Sequence, residues 1–420
     1  MIVKLAYGRG TVSVDVRGLR CHALEPTAPR GSDDVAGMVA AALDRPLAGP
    51  PLGELLRGRR RVVLLVPDAT RKAELPTVLP LLLARLEAAR VSRDGITVLV
   101  ACGTHPPAPA EELDALLGPL PAGVVVQQHE ARDEATLAVA GTLPTGLTVR
   151  LNRAVLEADL VIAVSALAHH YFAGFTGGPK LIFPGVAGYD EIQRNHARVL
   201  DLAHTPPRRH PGCEPGLVAG NPVAEEIRAA AALRPPDLLL AMVRGRDGRP
   251  AWMGAGPLDA VAEAGAAQVR AWYEVSAGPF TRLVVSAGGH PHDHTLIQAH
   301  KALDAACRFA AEGAEVLFVA ACEGGAGSPA MLPFLEDPRP AAILARLAER
   351  YVQYGHTTLR LVEKTARWKV RALTRLPAEL VERLGMEPVT DVQRVLDGWR
   401  EAGPGDVVGL MAGAAVYPAR

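Results

Sequence analysis

Residues 159–180 read DLVIAVSALAHHYFAGFTGGPK. The first part is an apolar run with no polar interruption, and a strand apolar at every position is one covered on both faces, as in a parallel sheet of an α/β protein. The run passes directly into two histidines, two aromatics, a glycine-rich turn and a lysine. In open α/β sheets the ligand lies beyond the carboxyl ends of the strands, near a switch in strand order. This stretch therefore predicts both the fold and the place to look for chemistry.

The same grammar appears twice upstream. RVVLLV (61–66) runs into PDATR (67–71), and ITVLVA (96–101) runs into CGTHPP (102–107), with helical patterns near 76–91 and 109–117. GVVVQ (123–127) and LTVRL (147–151) read as further strands. Asp68, Arg71, His105, His170 and Lys180 are accordingly expected to converge from separate loops. Residues 1–60 read as a peripheral hairpin and irregular connections, and 204–216 as a long loop.

Farther along, NPVAEEIRAAAAL (221–233) has a helix signature, with Asn221 as N-cap and Pro222 at the first helical position. A strand at 237–243 and a helix at 256–274 follow. A second α/β unit is built from 281–289, a helix from 293, 314–322, the glycine turn EGGAGS (323–328) and a last strand at 406–413. The expected class is α/β, with two domains of largely parallel sheet, residues 1–272 and 273–420.

Composition narrows the function. Lys plus Arg and Asp plus Glu number 45 each in 420 residues. With no net field, nucleic acid and anionic membrane surfaces are disfavoured as partners. Apolar runs are far shorter than a membrane span, and MIVKLAYGRG has neither an apolar core segment nor a cleavage site, which predicts a soluble cytoplasmic protein. Five cysteines, at 21, 102, 213, 307 and 322, are scattered without a Cys-x-x-Cys pair. That pattern is neither a disulfide framework nor a zinc knuckle.

The glycine turn is not a Walker phosphate loop. Such a loop needs a hydroxyl residue after its lysine to hold magnesium, whereas Leu181 follows Lys180, and Pro179 offers no N–H to an anion. The turn can still bring backbone close to a ligand through Gly177 and Gly178.

These residues resemble the signature of the nickel-pincer-nucleotide-dependent lactate racemases. The resemblance implies that Lys180 is covalently joined to a pyridinium-derived mononucleotide holding nickel, with Gly177, Gly178 and Asp68 on the cofactor side. It implies that His196, sixteen residues on, ligates nickel, and that His105 and His170 are the catalytic acid/bases. Arg71 matches the residue facing the substrate carboxylate. In GGHPHDHTLIQAHKAL (288–303), Gln298 and Lys301 match the substrate-side pair, while Ile297 stands where the lactate enzymes commonly carry Tyr. The resemblance thus implies that 1–272 anchors the cofactor, that 273–420 supplies substrate-side residues, and that the active site lies in the interdomain cleft. The implied reaction is racemisation or epimerisation of a 2-hydroxy acid, lactate-like or larger, by hydride transfer to the cofactor. Partners would be the small hydroxy acid and cofactor-maturation enzymes.

The residue types suit that reaction. Inverting one carbon requires the hydroxyl to be served from two sides, which a single base cannot do. Imidazole titrates near neutrality and can take or give a proton. Arginine's planar fork binds a carboxylate bidentately and keeps its charge. Two rival readings are carried forward. One is a zinc hydrolase or lyase using His290, His292, His294 and His300, and the other is a non-catalytic nucleotide- or phosphate-binding protein using the glycine turn. His356, after Gly355, is a further candidate to line the cleft.

Overall fold

The computed structural model describes residues 1–403, 405–413 and 415–419. The chain forms two compact units, and neither is continuous in sequence. One comprises residues 28–199 and 209–270, and the other comprises residues 1–27, 200–208 and 271–420. The expected single cut at 272 thus becomes a discontinuous division, because Arg20–Ala23 pairs in parallel with the late strand Val407–Met411.

The first unit holds a six-stranded sheet in the order Pro250–Gly256, Leu238–Arg244, Leu160–Ala166, Val62–Pro67, Ile96–Ala101, Val125–Gln128. All neighbours are parallel except the edge strand Pro250–Gly256. Val62, Leu64 and Val66 join one core cluster with Val98, Val100, Ile162 and Val164, packed against Val78, Leu79, Leu82 and Leu86 of helix Leu75–Ala88. The alternate residues Val63, Leu65, Val161 and Ala163 are buried too. Burial of both faces is what the uninterrupted apolar runs demanded.

Chain order in this sheet reverses beside Val62–Pro67. The next two strands are added on one side of it, and Leu160–Ala166 returns to the other. The carboxyl ends of Val62–Pro67 and Leu160–Ala166 therefore flank a switch point, the position where such sheets open a crevice. One strand lies elsewhere than expected. Thr148–Asn152 pairs antiparallel with Leu137–Thr142 in a separate hairpin, since a short half-exposed run lacks the apolar residues to sit inside the main sheet.

The second unit has its own six-stranded sheet, ordered Glu387–Pro388, Lys369–Leu373, Ala310–Val319, Phe280–Ser286, Val407–Met411, Arg20–Ala23, with every pairing parallel. The antiparallel hairpin Ile2–Tyr7 and Gly10–Asp15 packs on it through Leu5 and Val14, against Val284, Leu317, Leu396 and Trp399. Among the described residues, no helix is long and apolar enough to cross a membrane.

Candidate active site

Three loops meet beyond the carboxyl ends of adjacent strands in the unit 28–199/209–270. After Val62–Pro67 the chain turns at Asp68, whose carbonyl accepts from Arg71 N at 3.0 Å. Asp68 Oδ1 accepts from Thr70 N at 3.0 Å and from Thr70 Oγ1 at 2.5 Å. Its other oxygen, Oδ2, lies 2.5 Å from His105 Nδ1, which the loop after Ile96–Ala101 supplies. Burial alone would raise the Asp68 pKa, but His105, Thr70 and the Arg71 charge outweigh it and hold the carboxyl ionised. A carboxylate only accepts, so the neutral His105 ring would carry its hydrogen on Nδ1 and keep a lone pair on Nε2. Asp68, expected on the cofactor side, thus also holds the His105 ring.

The third loop follows Leu160–Ala166. His169 and His170 pair back on Gly174 and Phe175 in a tight hairpin. His170 Nδ1 accepts from Ala173 N at 3.2 Å and, more weakly, from Phe172 N at 3.5 Å. With Nδ1 accepting, the neutral ring carries its hydrogen on Nε2. The two candidate acid/bases thus rest in opposite tautomers.

Beyond the hairpin the chain enters the turn Gly178–Leu181 at Gly177, whose φ is +68°. A Cβ on Gly177 would lie 2.1 Å from Ser165 Oγ and 2.6 Å from Ala166 O, so only glycine fits. Ser165 Oγ accepts from Gly178 N at 2.9 Å and pins the turn to the end of its own strand. Gly185 ties this region to the His105 loop, its carbonyl accepting from Gly103 N at 2.9 Å. Lys180 is half-buried here. Burial and the nearby Arg71 charge bring its pKa down to about 7, so a large fraction of the amine is unprotonated and nucleophilic at neutral pH.

His196 sits on helix Tyr189–Ala197 and is 5% exposed. Burial, then the Lys180 charge, bring its pKa down to about 3. It is a neutral imidazole throughout the physiological range. Its Nδ1 is buried and makes no hydrogen bond of normal geometry, although the Ile192 carbonyl one turn earlier bears on the ring.

One residue that sequence reasoning passed over joins these groups. The Phe172 ring lies 4.7 Å from that of His170, 5.3 Å from that of His196 and 5.9 Å from Lys180 Nζ. Tyr171 stacks on His170 at 5.2 Å and its oxygen bears on the Arg71 charge. Ser165 was also missed, although a lone hydroxyl closing an apolar strand was a usable signal. Asp68, Arg71, His105, His170, Gly177, Gly178, Lys180 and His196 all fall in this one unit. Gln298 and Lys301 fall in the other, on helix Leu296–Ala306, where Lys301 Nζ donates to Gln298 Oε1 at 2.6 Å.

The remaining candidates separate. His290, His292 and His294 are exposed, whereas His300 is buried and its Nδ1 lies 2.7 Å from Ile297 O. Among the described residues, no three His, Cys, Asp or Glu side chains gather as a metal site, which leaves the zinc reading without a centre. His356 is fully buried in helix Gln353–Arg367. Cys102 is no nucleophile: burial and the Asp68 charge push its thiol up to about 12.

The donor set fits a nickel-bearing pyridinium nucleotide. It offers an amine of lowered pKa at Lys180 and, at His196, a buried neutral imidazole whose Nδ1 makes no hydrogen bond of normal geometry. Residues 7–205 match the lactate racemase N-terminal domain family. The chain is 30% identical to the lactate racemase of Lactiplantibacillus plantarum over 306 residues, which is 72% of this chain and 70% of that one. It is 26% identical to the lactate racemase of Thermoanaerobacterium thermosaccharolyticum over 359 residues, 83% of this chain and 81% of the relative. The apoprotein structure of the lactate racemase from that organism superposes with a TM-score of 0.87 at 24% identity, covering all of both chains. A Thermotoga maritima protein gives 0.66 at 18% identity, over 87% of this chain and 94% of the other. The chain belongs to the lactate racemase family, whose named members are isomerases.

Proposed function

We propose that this protein is a nickel-dependent racemase or epimerase of a 2-hydroxy acid. The observation that carries the reading is the neutral, buried imidazole of His196 close enough to the low-pKa amine of Lys180 to feel its charge, with the Phe172 ring beside both. Lys180 would hold a nickel-pincer nucleotide (pyridinium-3-thioamide-5-thiocarboxylic acid mononucleotide) through its thioamide, with Gly177 and Gly178 beside it in the turn. His196 would complete the nickel coordination. When bound, that group supplies an acceptor for hydride from the substrate carbon.

The chain's own residues do the rest. Arg71, charged and half-buried, binds the substrate carboxylate. Gln298 and Lys301, from the other unit, are proposed as further substrate-side residues on the strength of their sequence pattern. His105 Nε2 takes the hydroxyl proton, and Asp68 stabilises the resulting imidazolium. His170 presents Nε2–H as the hydrogen-bond donor on the second side. When the opposite hand reacts the two imidazoles exchange roles, which requires His170 to release the Ala173 N contact and carry its hydrogen on Nδ1 so that Nε2 can take the proton, while His105 begins protonated and gives one. Maturation enzymes that build the cofactor and a cytoplasmic setting belong to the same proposal.

The test is chiral analysis of protein co-expressed with cofactor-maturation enzymes, incubated with single enantiomers of lactate and of larger 2-hydroxy acids. Nickel-dependent loss of optical activity with at least one of them supports the reading. Tight nucleotide binding without turnover of any of them supports the binding-protein alternative instead.

A further inference from the structure

Asn221 takes no part in the chemistry above, yet it is fully buried and uses both ends of its carboxamide. Its Oδ1 accepts from Val223 N and Ala224 N, each at 3.2 Å, capping helix Pro222–Ala231. Its Nδ2 donates to Phe172 O at 2.9 Å and Leu217 O at 3.1 Å. One side chain thus fastens the His170 hairpin and the segment beneath it to a helix end.

Both attachments lie where they matter. The hairpin rests directly on that segment, with Gly216 N donating to Gly174 O at 2.9 Å, and a Cβ on Gly174 would lie 2.4 Å from Leu217 O. The capped helix in turn grips the helix carrying His196. Asn195 Nδ2 donates to Val223 O at 3.2 Å and to Glu226 Oε2 at 3.1 Å, with Glu226 only 5% exposed. From His170 to His196 the connection therefore runs through Phe172 O, Asn221, the first turn of Pro222–Ala231 and Asn195.

We propose that Asn221 is a positioning residue that fixes His170 relative to His196 through this tether. The inference rests on the reading of His170 as an acid/base. A hairpin of two-residue strands has little stiffness of its own, and a 1 Å displacement of a reacting group can cost about a hundredfold in rate.

The two ends of the carboxamide can be tested apart with Asn221→Asp. The cap survives, because a carboxylate oxygen accepts from the helix N–H groups as well as Oδ1 does. The tether is lost, because the second oxygen then faces two carbonyls and has no hydrogen to give. Expected for the loaded enzyme is a 10- to 100-fold fall in kcat with KM and nickel per chain unchanged. Activity should recover as the pH is lowered, when the introduced carboxyl protonates and donates to Phe172 O. In the apoprotein, a histidine-selective NMR spectrum should show the His170 ring resonance shifted and that of His196 unmoved. Asn221→Ser, which keeps a cap and cannot reach both carbonyls, should lose kcat without the acid recovery.

Wild-type kcat in Asn221→Ser, which cannot reach both carbonyls at any pH, overturns the proposal, as does wild-type kcat in Asn221→Asp at alkaline pH, where the introduced carboxyl is ionised. So does a joint loss of kcat, nickel and thermal stability, which would mark a purely structural residue. His170→Ala separates this from the underlying reading. If His170→Ala is fully active, the acid/base reading fails. If it is inactive while Asn221→Asp is unaffected, the tether fails alone.

Discussion

Replacing Asp68 by Asn probes the tautomer of His105 with almost no change of shape. Asp68 Oδ1 sits where Thr70 N and Thr70 Oγ1 both supply hydrogens, so the amide oxygen of the substituted residue is held there. Its NH2 group must then face His105 Nδ1, the position now taken by the carboxylate oxygen at 2.5 Å. That contact forces Nδ1 to accept and moves the ring hydrogen to Nε2, where the lone pair is needed. A positioned general base contributes about 10²- to 10⁴-fold, and the same aspartate-to-asparagine change in the serine-protease template costs about 10⁴. The fall expected in kcat is therefore about 10²–10⁴-fold, or about 3–5 kcal/mol of activation free energy. For a pair of enantiomers the equilibrium constant is one, so kcat/KM must fall equally for both hands. Polarimetry from each pure enantiomer reads this, with nickel per chain as the control for loading. An Asp68→Asn enzyme within threefold of the parent, normally loaded, would refute the assignment of His105 as an oriented base.

Two further outcomes follow from burial. His300 has its pKa brought down from 6.5 to about 3, chiefly by burial, and His129 is lowered for the same reason. Between pH 6.5 and 3 the unfolded chain binds protons that the folded chain does not, so stability falls as the pH falls. For His300 the slope over that window is about 1.4 kcal/mol per pH unit, and His129 adds to it in the same direction. Thermal melts of the apoprotein from pH 8 to 4 should show this below pH 6.5, with a shallower slope in His300→Gln, and an unchanged slope would contradict it. Gly177→Ala combines a positive φ with a Cβ 2.1 Å from Ser165 Oγ, and should destabilise the apoprotein by about 2–5 kcal/mol. Gly178→Ala meets nothing nearer than 3.5 Å and should cost about 1–2 kcal/mol. Equal chemical-denaturation midpoints for the two variants would contradict the packing of the turn on Ser165.

Much of this was legible in the residues. Strands apolar on both faces announced a parallel sheet, and the polar residues that follow each one marked its carboxyl end. The Asn-Pro pair at 221–222 announced a capped helix, which forms at Pro222–Ala231. What stayed hidden depends on long-range pairing. Nothing local in RCHA (20–23) says that it will join a strand almost four hundred residues later. Phe172 reads as core filler until the fold brings His196 and Lys180 beside it. His129 follows a weak strand and shows no motif, yet it is fully buried, with Nε2 3.0 Å from Ala187 O, just ahead of the helix that carries His196. Local pattern fixes strands and caps, whereas a side chain's partners come from chain segments far away in sequence.

The central claim is that Lys180 and His196 together carry a nickel-bearing nucleotide. Intact and peptide mass spectrometry with metal analysis, on protein co-expressed with the maturation enzymes, tests it most directly. The account predicts added mass confined to the peptide containing Lys180 and one nickel per chain. It also predicts that Lys180→Ala removes the added mass, and that His196→Ala loses the nickel. Unmodified Lys180 in protein that nonetheless racemises a hydroxy acid would contradict it.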